Sequence, residues 1–249
     1  MNFDLDRFKA ILCDIDGCLI AGETPLAGAA ELVSRFGDRL IAISNNSTDT
    51  PVSLERRLAR LGLPIPAERL VLAGAIAVNE IAMTSPGAKL VLFGSPTLVA
   101  YALSKGLVLV DSEADFALLT RDVDFTYGRL VQLLRLVRAG TELIVANLDA
   151  THPAADGGLV PETGALLSAV RTCLPDLQFR TIGKPEETLF KIALRKAGVE
   201  VGDAILIGDN PMTDGEGARR LGMAFAAIGN DAARDIADLI RKSDRCLKL

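Results

Sequence analysis

The sequence predicts an α/β fold: a mostly parallel, doubly wound sheet core with a second, smaller α/β domain inserted into it. Three observations lead there. Several short runs are apolar throughout rather than alternating, which suits strands covered on both faces. Amphipathic segments of helical period separate them, as crossovers between parallel strands require. The runs end in polar residues, and two of those ends, Ser44 and Lys184, lie 140 positions apart.

Taken in order, "KAILC" (9–13) reads as a strand ending at Asp14, and "LAGAAELVSRFG" (26–37) as the helix after it. "RLIAI" (39–43) is a strand ending at Ser44, and "PVSLERRLARLG" (51–62) is a helix opened by Pro51 and stopped by Gly62. The middle alternates in the same way. "AKLVLFG" (88–94), "FALLT" (116–120) and "ELIVAN" (142–147) are strands; "SPTLVAYALSKG" (95–106), "TYGRLVQLLRLVRAG" (126–140) and "PETGALLSAVRTCL" (161–174) are helices. "FRTI" (179–182) is read as a strand leading to Lys184. A helix follows in "PEETLFKIALRKAG" (185–198), with Pro185 as its first residue. "AILI" (204–207) leads to Asp209, and "DGEGARRLG" (214–222) is the next helix. The expected division is a catalytic core from 1–78 and 181–249, with residues 79–180 as the insertion.

Composition removes several function classes. No window carries the roughly 18 uninterrupted apolar residues of a membrane span, and "MNFDLDRFKA" lacks the basic and apolar regions of a secretion signal. A cytoplasmic protein without a membrane partner is expected. The net charge is −5, Arg56, Arg57 and Arg60 have the spacing of a wet helix face, and Trp is absent. No nucleic-acid polymer is therefore expected as a partner. Cys13, Cys18, Cys173 and Cys246 form no CxxC pair, and His152 is the one histidine. Catalysis must then run on carboxylates, lysine, hydroxyls and a hard metal.

Open parallel sheets bind ligands beyond the carboxyl ends of their strands, which is where Asp14, Ser44, Lys184 and Asp209 are expected. Asp14 and Asp16 stand at i and i+2, so an extended backbone turns both carboxyl groups to one side. Asp209 and Asp214 of "GDNPMTD" add two more acids. Such an oxygen-rich set suits Mg²⁺. Lys184 in "IGKPEE" offers a cation for a phosphoryl oxygen, and "SNNST" (44–48) supplies hydroxyl and amide donors through Ser44, Asn45 and Asn46. Each feature has a purely structural alternative. Asp16-Gly17 is also a strong hairpin-turn signal, Asp214 suits a helix cap, and Asn46, Ser47 or Thr48 would serve as an N-cap.

In order and spacing, "DIDG", the Ser of "SNNS", Lys184 and "GDNPMTD" resemble the four motifs of the haloacid dehalogenase-like superfamily. "SNNST", "ANLDATHP", "GLVPETGALLSAV" and "IGKPEETLF" extend the resemblance to its NagD or 4-nitrophenyl phosphatase branch, over nearly the whole chain. The resemblance implies a Rossmann-like core with an α/β cap between motifs two and three. It implies an Mg²⁺-dependent phosphatase acting on small-molecule phosphate monoesters of the sugar phosphate, nucleotide, phosphoglycolate or pyridoxal phosphate class. Asp14 would be the nucleophile and Asp16 the general acid and base. Ser44 and Lys184 would hold phosphoryl oxygens, with Asn45 lining the same pocket and Asn46 among the phosphate- or substrate-binding candidates, and Asn147 and Asp149 of the cap would face the substrate. The metal would be held by Asp14, the Asp16 carbonyl and Asp209, with Asp214 in support. A short flap after the nucleophile, begun at Gly17, and dimerisation through the cap accord with the same resemblance. Cys18 departs from it, standing where the family usually has Thr or Val, which raises the expectation of oxidation sensitivity.

Two other readings use the same residues. A phosphomutase or phosphotransferase would pass the phosphoryl group from Asp14 to a second alcohol. A non-catalytic phospho-receiver also carries an acidic cluster, a hydroxyl and a Lys-Pro, but such proteins are about half this length and place their acid pair on a separate strand.

Overall fold

The computed structural model describes residues 4–153, 158–230 and 233–246; of the four cysteines, the Cys246 side chain lies outside the described residues. The chain begins with β1 (Ala10–Asp14), β2 (Ile20–Ala21), β3 (Thr24–Pro25), α1 (Ala29–Phe36), β4 (Leu40–Ser44), α2 (Pro51–Arg60) and β5 (Leu70–Leu72). Its middle runs α3 (Ala73–Thr84), β6 (Lys89–Phe93), α4 (Pro96–Ser104), β7 (Val108–Leu109), β8 (Phe116–Leu119), α5 (Tyr127–Arg138) and β9 (Glu142–Val145). There follow β10 (Thr151–Pro153), β11 (Leu159–Pro161), α6 (Thr163–Cys173) and β12 (Arg180–Thr181). It ends with α7 (Glu187–Ala197), β13 (Ala204–Gly208), α8 (Glu216–Leu221), β14 (Ala224–Ala227) and α9 (Ile236–Cys246). Two compact units result: Met1–Ser44, Pro51–Val71 and Lys184–Leu249 form one, Asn45–Thr50 and Leu72–Gly183 the other.

The first unit is built on a five-stranded sheet of order β14-β13-β1-β4-β5. β1 pairs in parallel with both β4 and β13, and β13 with β14. Every residue of β1, β4 and β13 is buried, as unbroken apolar runs require when both faces are covered. β1 is central, so Asp14 at its carboxyl end is flanked by the ends of β4 and β13. Just beyond β1 the chain reverses tightly: the Ile15 carbonyl accepts from the N–H groups of both Leu19 and Ile20, and Gly17 N–H donates to the Ile20 carbonyl. The antiparallel pair β2/β3 follows, with Gly22 and Glu23 at its tip. The hairpin turn is therefore not at Asp16-Gly17; Gly17, at φ +84°, makes the turn at its base.

The second unit carries another five-stranded sheet, β12-β9-β8-β6-β7, parallel at every pairing. Val91, Phe93, Ala117, Leu119, Leu143 and Val145 from its strands form a core with Leu133, Leu136, Leu167 and Val170 of α5 and α6. Two of its helices, α4 and α5, begin at side-chain caps. Ser95 Oγ accepts from Leu98 N–H with Pro96 at the first helical position, and Thr126 Oγ1 accepts from Arg129 N–H. β10 and β11 pair as a short antiparallel ribbon.

Two details differ from the sequence expectations. "FRTI" forms a strand, but of the other sheet: β12 pairs with β9 through Arg180–Ile144 and Thr181–Val145. Lys184 is therefore carried on a loop rather than at the end of a core strand. Pro185 also does not open α7. Its peptide bond with Lys184 is cis, Glu186 stays extended, and the helix starts at Glu187. Among the described residues, no helix is long and apolar enough to cross a membrane.

Candidate active site

The first unit gathers Asp14, Asp16, Ser44, Lys184, Asp209 and Asp214. Lys184 is its hub: it is 2% exposed, and its Nζ lies 2.7 Å from Asp14 Oδ1 and 2.7 Å from Asp214 Oδ1. Asp14 Oδ1 also accepts from Ile15 N–H at 2.8 Å, which fixes the carboxyl group at the strand end. Ser44, buried at the end of β4, donates through Oγ to Asp16 Oδ2 at 3.4 Å. Asp16 is exposed and thus reachable from solvent.

Burial raises the Asp14 carboxyl well above its usual range; Lys184 opposes this, and Asp214 and Asp16 add to it. Burial alone would favour neutral Lys184, but Asp14 and Asp214 outweigh it and raise its pKa, so the ammonium stays charged. Asp209 is exposed as a residue, yet its carboxyl sits in a partly covered niche and is raised by burial and by Asp214. One lysine thus answers two buried carboxylates, with two more acids beside them. The excess negative charge calls for a cation.

The donor atoms fit one. A carboxylate oxygen of Asp14, one of Asp209 and the Cys18 sulfur all lie within 4.8 Å of one another. Two hard oxygen donors suit a divalent ion of the Mg²⁺ type. Asp214 stands outside this group. It is fully buried, with Oδ1 on Lys184 and Oδ2 accepting from Asn210 N–H at 3.3 Å. Its geometry serves the lysine. The Asp16 carboxyl group is not among the clustered donors either, being engaged by Ser44.

Two glycines make room for these acids. A Cβ on Gly208 would stand 2.5 Å from the Asp214 side chain. On Gly17 it would stand 2.1 Å from Asp209 Oδ2, at a φ that L side chains rarely adopt. Gly17→Ala is therefore expected to displace Asp209 and cut activity by roughly 10²-fold, the cost of about an ångström of misplacement. A rightward shift of the divalent-metal activation curve checks the cause.

The other expected residues lie in the second unit. Asn45, next in the chain after Ser44, donates through Nδ2 to Asp149 Oδ2 at 3.0 Å. Asn147 is 1% exposed. Its Nδ2 reaches the Asn45 carbonyl at 2.8 Å, Thr163 Oγ1 at 3.2 Å and Ser47 Oγ at 3.3 Å, while its Oδ1 accepts from Asp149 N–H. Asn147 is thus a brace for the 45–47 turn rather than a surface contact. Asn147→Ala is expected to cost about 1–3 kcal/mol by stranding buried acceptors, read as a fall in denaturation midpoint. Asn46 Oδ1 accepts from the N–H groups of Thr48 and Asp49, and its Nδ2 donates to Asp49 Oδ2, so the side chain shapes the turn before α2. His152 Nδ1 meets Glu162 Oε1 at 2.7 Å across the β10/β11 ribbon. Sequence reasoning missed Thr163 and Glu162 and read Ser47 only as an N-cap candidate; single hydroxyls and acids in polar stretches carry no spacing signal.

Comparison with known proteins agrees with this arrangement. A family model described as haloacid dehalogenase-like hydrolase matches residues 11–108, and a second, HAD-hydrolase-like, matches 181–247. The chain is 31% identical over 214 residues to an acid sugar phosphatase of Staphylococcus saprophyticus, covering 84% of this chain and 82% of that protein. Among solved structures, a p-nitrophenyl phosphatase from Archaeoglobus fulgidus superposes with TM-score 0.83 at 25% identity, over 97% of this chain and 93% of that one. A calcium complex of a glycerol phosphate phosphatase from Mycobacterium tuberculosis gives TM-score 0.81 at 26% identity, over 90% and 66%. On these matches the chain belongs to the haloacid dehalogenase-like hydrolases.

Proposed function

We propose that this protein is a Mg²⁺-dependent phosphatase that hydrolyses small-molecule phosphate monoesters through an aspartyl-phosphate. The observation that carries the reading is the buried Lys184 bridging Asp14 and Asp214 beside Asp209. In this reading the first unit is the catalytic core and the second the cap.

A carboxylate oxygen of Asp14 attacks phosphorus, and the bond to the ester oxygen breaks as the new P–O bond forms. Asp16 gives its proton to the departing alcohol, then takes one from the water that attacks the aspartyl-phosphate and releases inorganic phosphate. Lys184 and Ser44 hold phosphoryl oxygens. Phosphoryl transfer depends mainly on such positioning and charge neutralisation. Asp14, Asp209 and the Asp16 main-chain carbonyl would hold Mg²⁺, which when bound neutralises charge on the transferring group. The free thiols of Cys13, Cys18 and Cys173 accord with a reducing, cytoplasmic setting.

Sugar and glycerol phosphates head the substrate class, since similar proteins carry names for acting on them. The test is phosphate release from sugar phosphates, glycerol phosphate, nucleotides, phosphoglycolate and pyridoxal phosphate, with and without Mg²⁺. Wild type is expected to act on at least one ester in the presence of metal. Release no greater than that of Asp14→Asn on every ester would overturn the assignment.

A further inference from the structure

The donor group at the end of β1 contains an atom that the proposed phosphatase chemistry does not use. Cys18 is buried, and its Sγ lies 3.9 Å from Asp209 Oδ1 and within 4.8 Å of an Asp14 carboxylate oxygen. Asp209 is held in place, because its carboxylate rests against Gly17, where no side chain fits. We propose that Cys18 makes the divalent-cation site of this chain a trap for thiophilic ions: Zn²⁺ or Cd²⁺ binds through Cys18 Sγ together with the Asp14 and Asp209 carboxylates. The proposal rests on the reading of Asp14 and Asp209 as the cation site.

The dimensions allow it. Zinc bonds of about 2.3 Å to sulfur and about 2.0–2.2 Å to carboxylate oxygen set a tetrahedral S···O edge of roughly 3.6 Å. The 3.9 Å separation from Cys18 to Asp209 is within a few tenths of an ångström of that edge. Donor softness then separates the ions. Mg²⁺ takes oxygen ligands and leaves the thiol protonated, whereas Zn²⁺ and Cd²⁺ favour sulfur. The sulfur–hydrogen bond breaks as the metal–sulfur bond forms, and the proton leaves to solvent, with no change of oxidation state. An ion held this way occupies the same Asp14 and Asp209 carboxylates that Mg²⁺ needs, so it keeps Mg²⁺ out until a chelator removes it. A Thr or Val at position 18 would offer no such donor.

The test uses full-length protein stripped with a chelator, in a Cys173→Ser background because Cys173 is exposed. Cd²⁺ is titrated while the ultraviolet charge-transfer band of the cadmium–thiolate bond and the heat of binding are followed. One equivalent is expected to saturate the band. Cys18→Val should lose it and bind Cd²⁺ more weakly by at least the roughly 10–100-fold that loss of an outer-shell partner costs. Cys18→Thr, with circular dichroism as a check of folding, replaces the Val variant if that one does not fold. An unchanged band and affinity in the position-18 variant overturns the proposal, as does an unchanged band and affinity in Asp209→Asn. Mg²⁺ stabilisation of the parent against heat is measured alongside. If Mg²⁺ raises its melting temperature but the cadmium result is negative, only the role of Cys18 falls. If Mg²⁺ has no such effect and phosphate release does not need it, the reading of the cation site falls too.

Discussion

Asp14→Asn is expected to reduce phosphate release by roughly 10⁴-fold or more, the scale on which covalent catalysis fails when its nucleophile is removed. Apart from the ion pair with Lys184, the substitution changes little else. Asn has nearly the same volume, Asp14 sits at the end of a wholly buried strand, and the Ile15 N–H it holds can still find an amide oxygen. Stability separates a chemical defect from a folding one. The folded-state pKa of Asp14 is raised by burial, so its favourable contribution is complete below the unfolded value of about 3.9 and is lost as pH rises through the folded value. Without metal, wild type should therefore lose melting temperature relative to Asp14→Asn as pH rises from acid to neutral. A variant that is inactive yet at least as stable as wild type at neutral pH locates the loss in the chemistry. Substantial residual turnover would remove Asp14 from the nucleophile's role.

The sequence carried the fold wherever a run was apolar on both faces. β6, β8 and β9 lie within quoted runs, and β1, β4 and β13 extend one residue past theirs, because a buried parallel strand has no polar face to disguise it. Much of what was missed was short or built differently, although α9, an amphipathic helix of eleven residues, was missed as well. β7 has two residues, β5 has three, and α3 is apolar almost all round, with six buried positions in twelve and no amphipathic stripe to mark it. β12 was visible as a strand but assigned to the wrong sheet, since an apolar run does not say which neighbour it will pair with. The acids and Lys184 were legible because their charges interrupt apolar sequence. The second-unit turn was not: Asn147 looks from the sequence like a residue available to a substrate, and only the fold shows its amide committed to Asn45, Ser47 and Thr163.

Lys184→Met is expected to destabilise the metal-free protein by about 3–5 kcal/mol, because it leaves the buried Asp14 and Asp214 carboxylates without their shared cation. At roughly 2–4 °C per kcal/mol for a chain of this size, the melting temperature should fall by about 6–20 °C. A solvated loop lysine would shift stability by no more than about 0.5 kcal/mol, so the measurement separates the two arrangements cleanly. The sign holds across ordinary assay conditions. The folded-state pKa of Lys184 is raised, so its stabilisation is fully present below the unfolded lysine value of about 10.4 and is lost only as pH rises through the higher folded value. A second substitution tests the cause. Asp214→Asn placed on Lys184→Met removes one stranded carboxylate, and the double variant should melt above the single one although neither hydrolyses ester. If Lys184→Met melts with wild type, the buried ion pairs do not hold this site together. If the double variant gains nothing, Asp214 is not the charge that the lysine answers, and its burial must be offset by the Asn210 N–H alone.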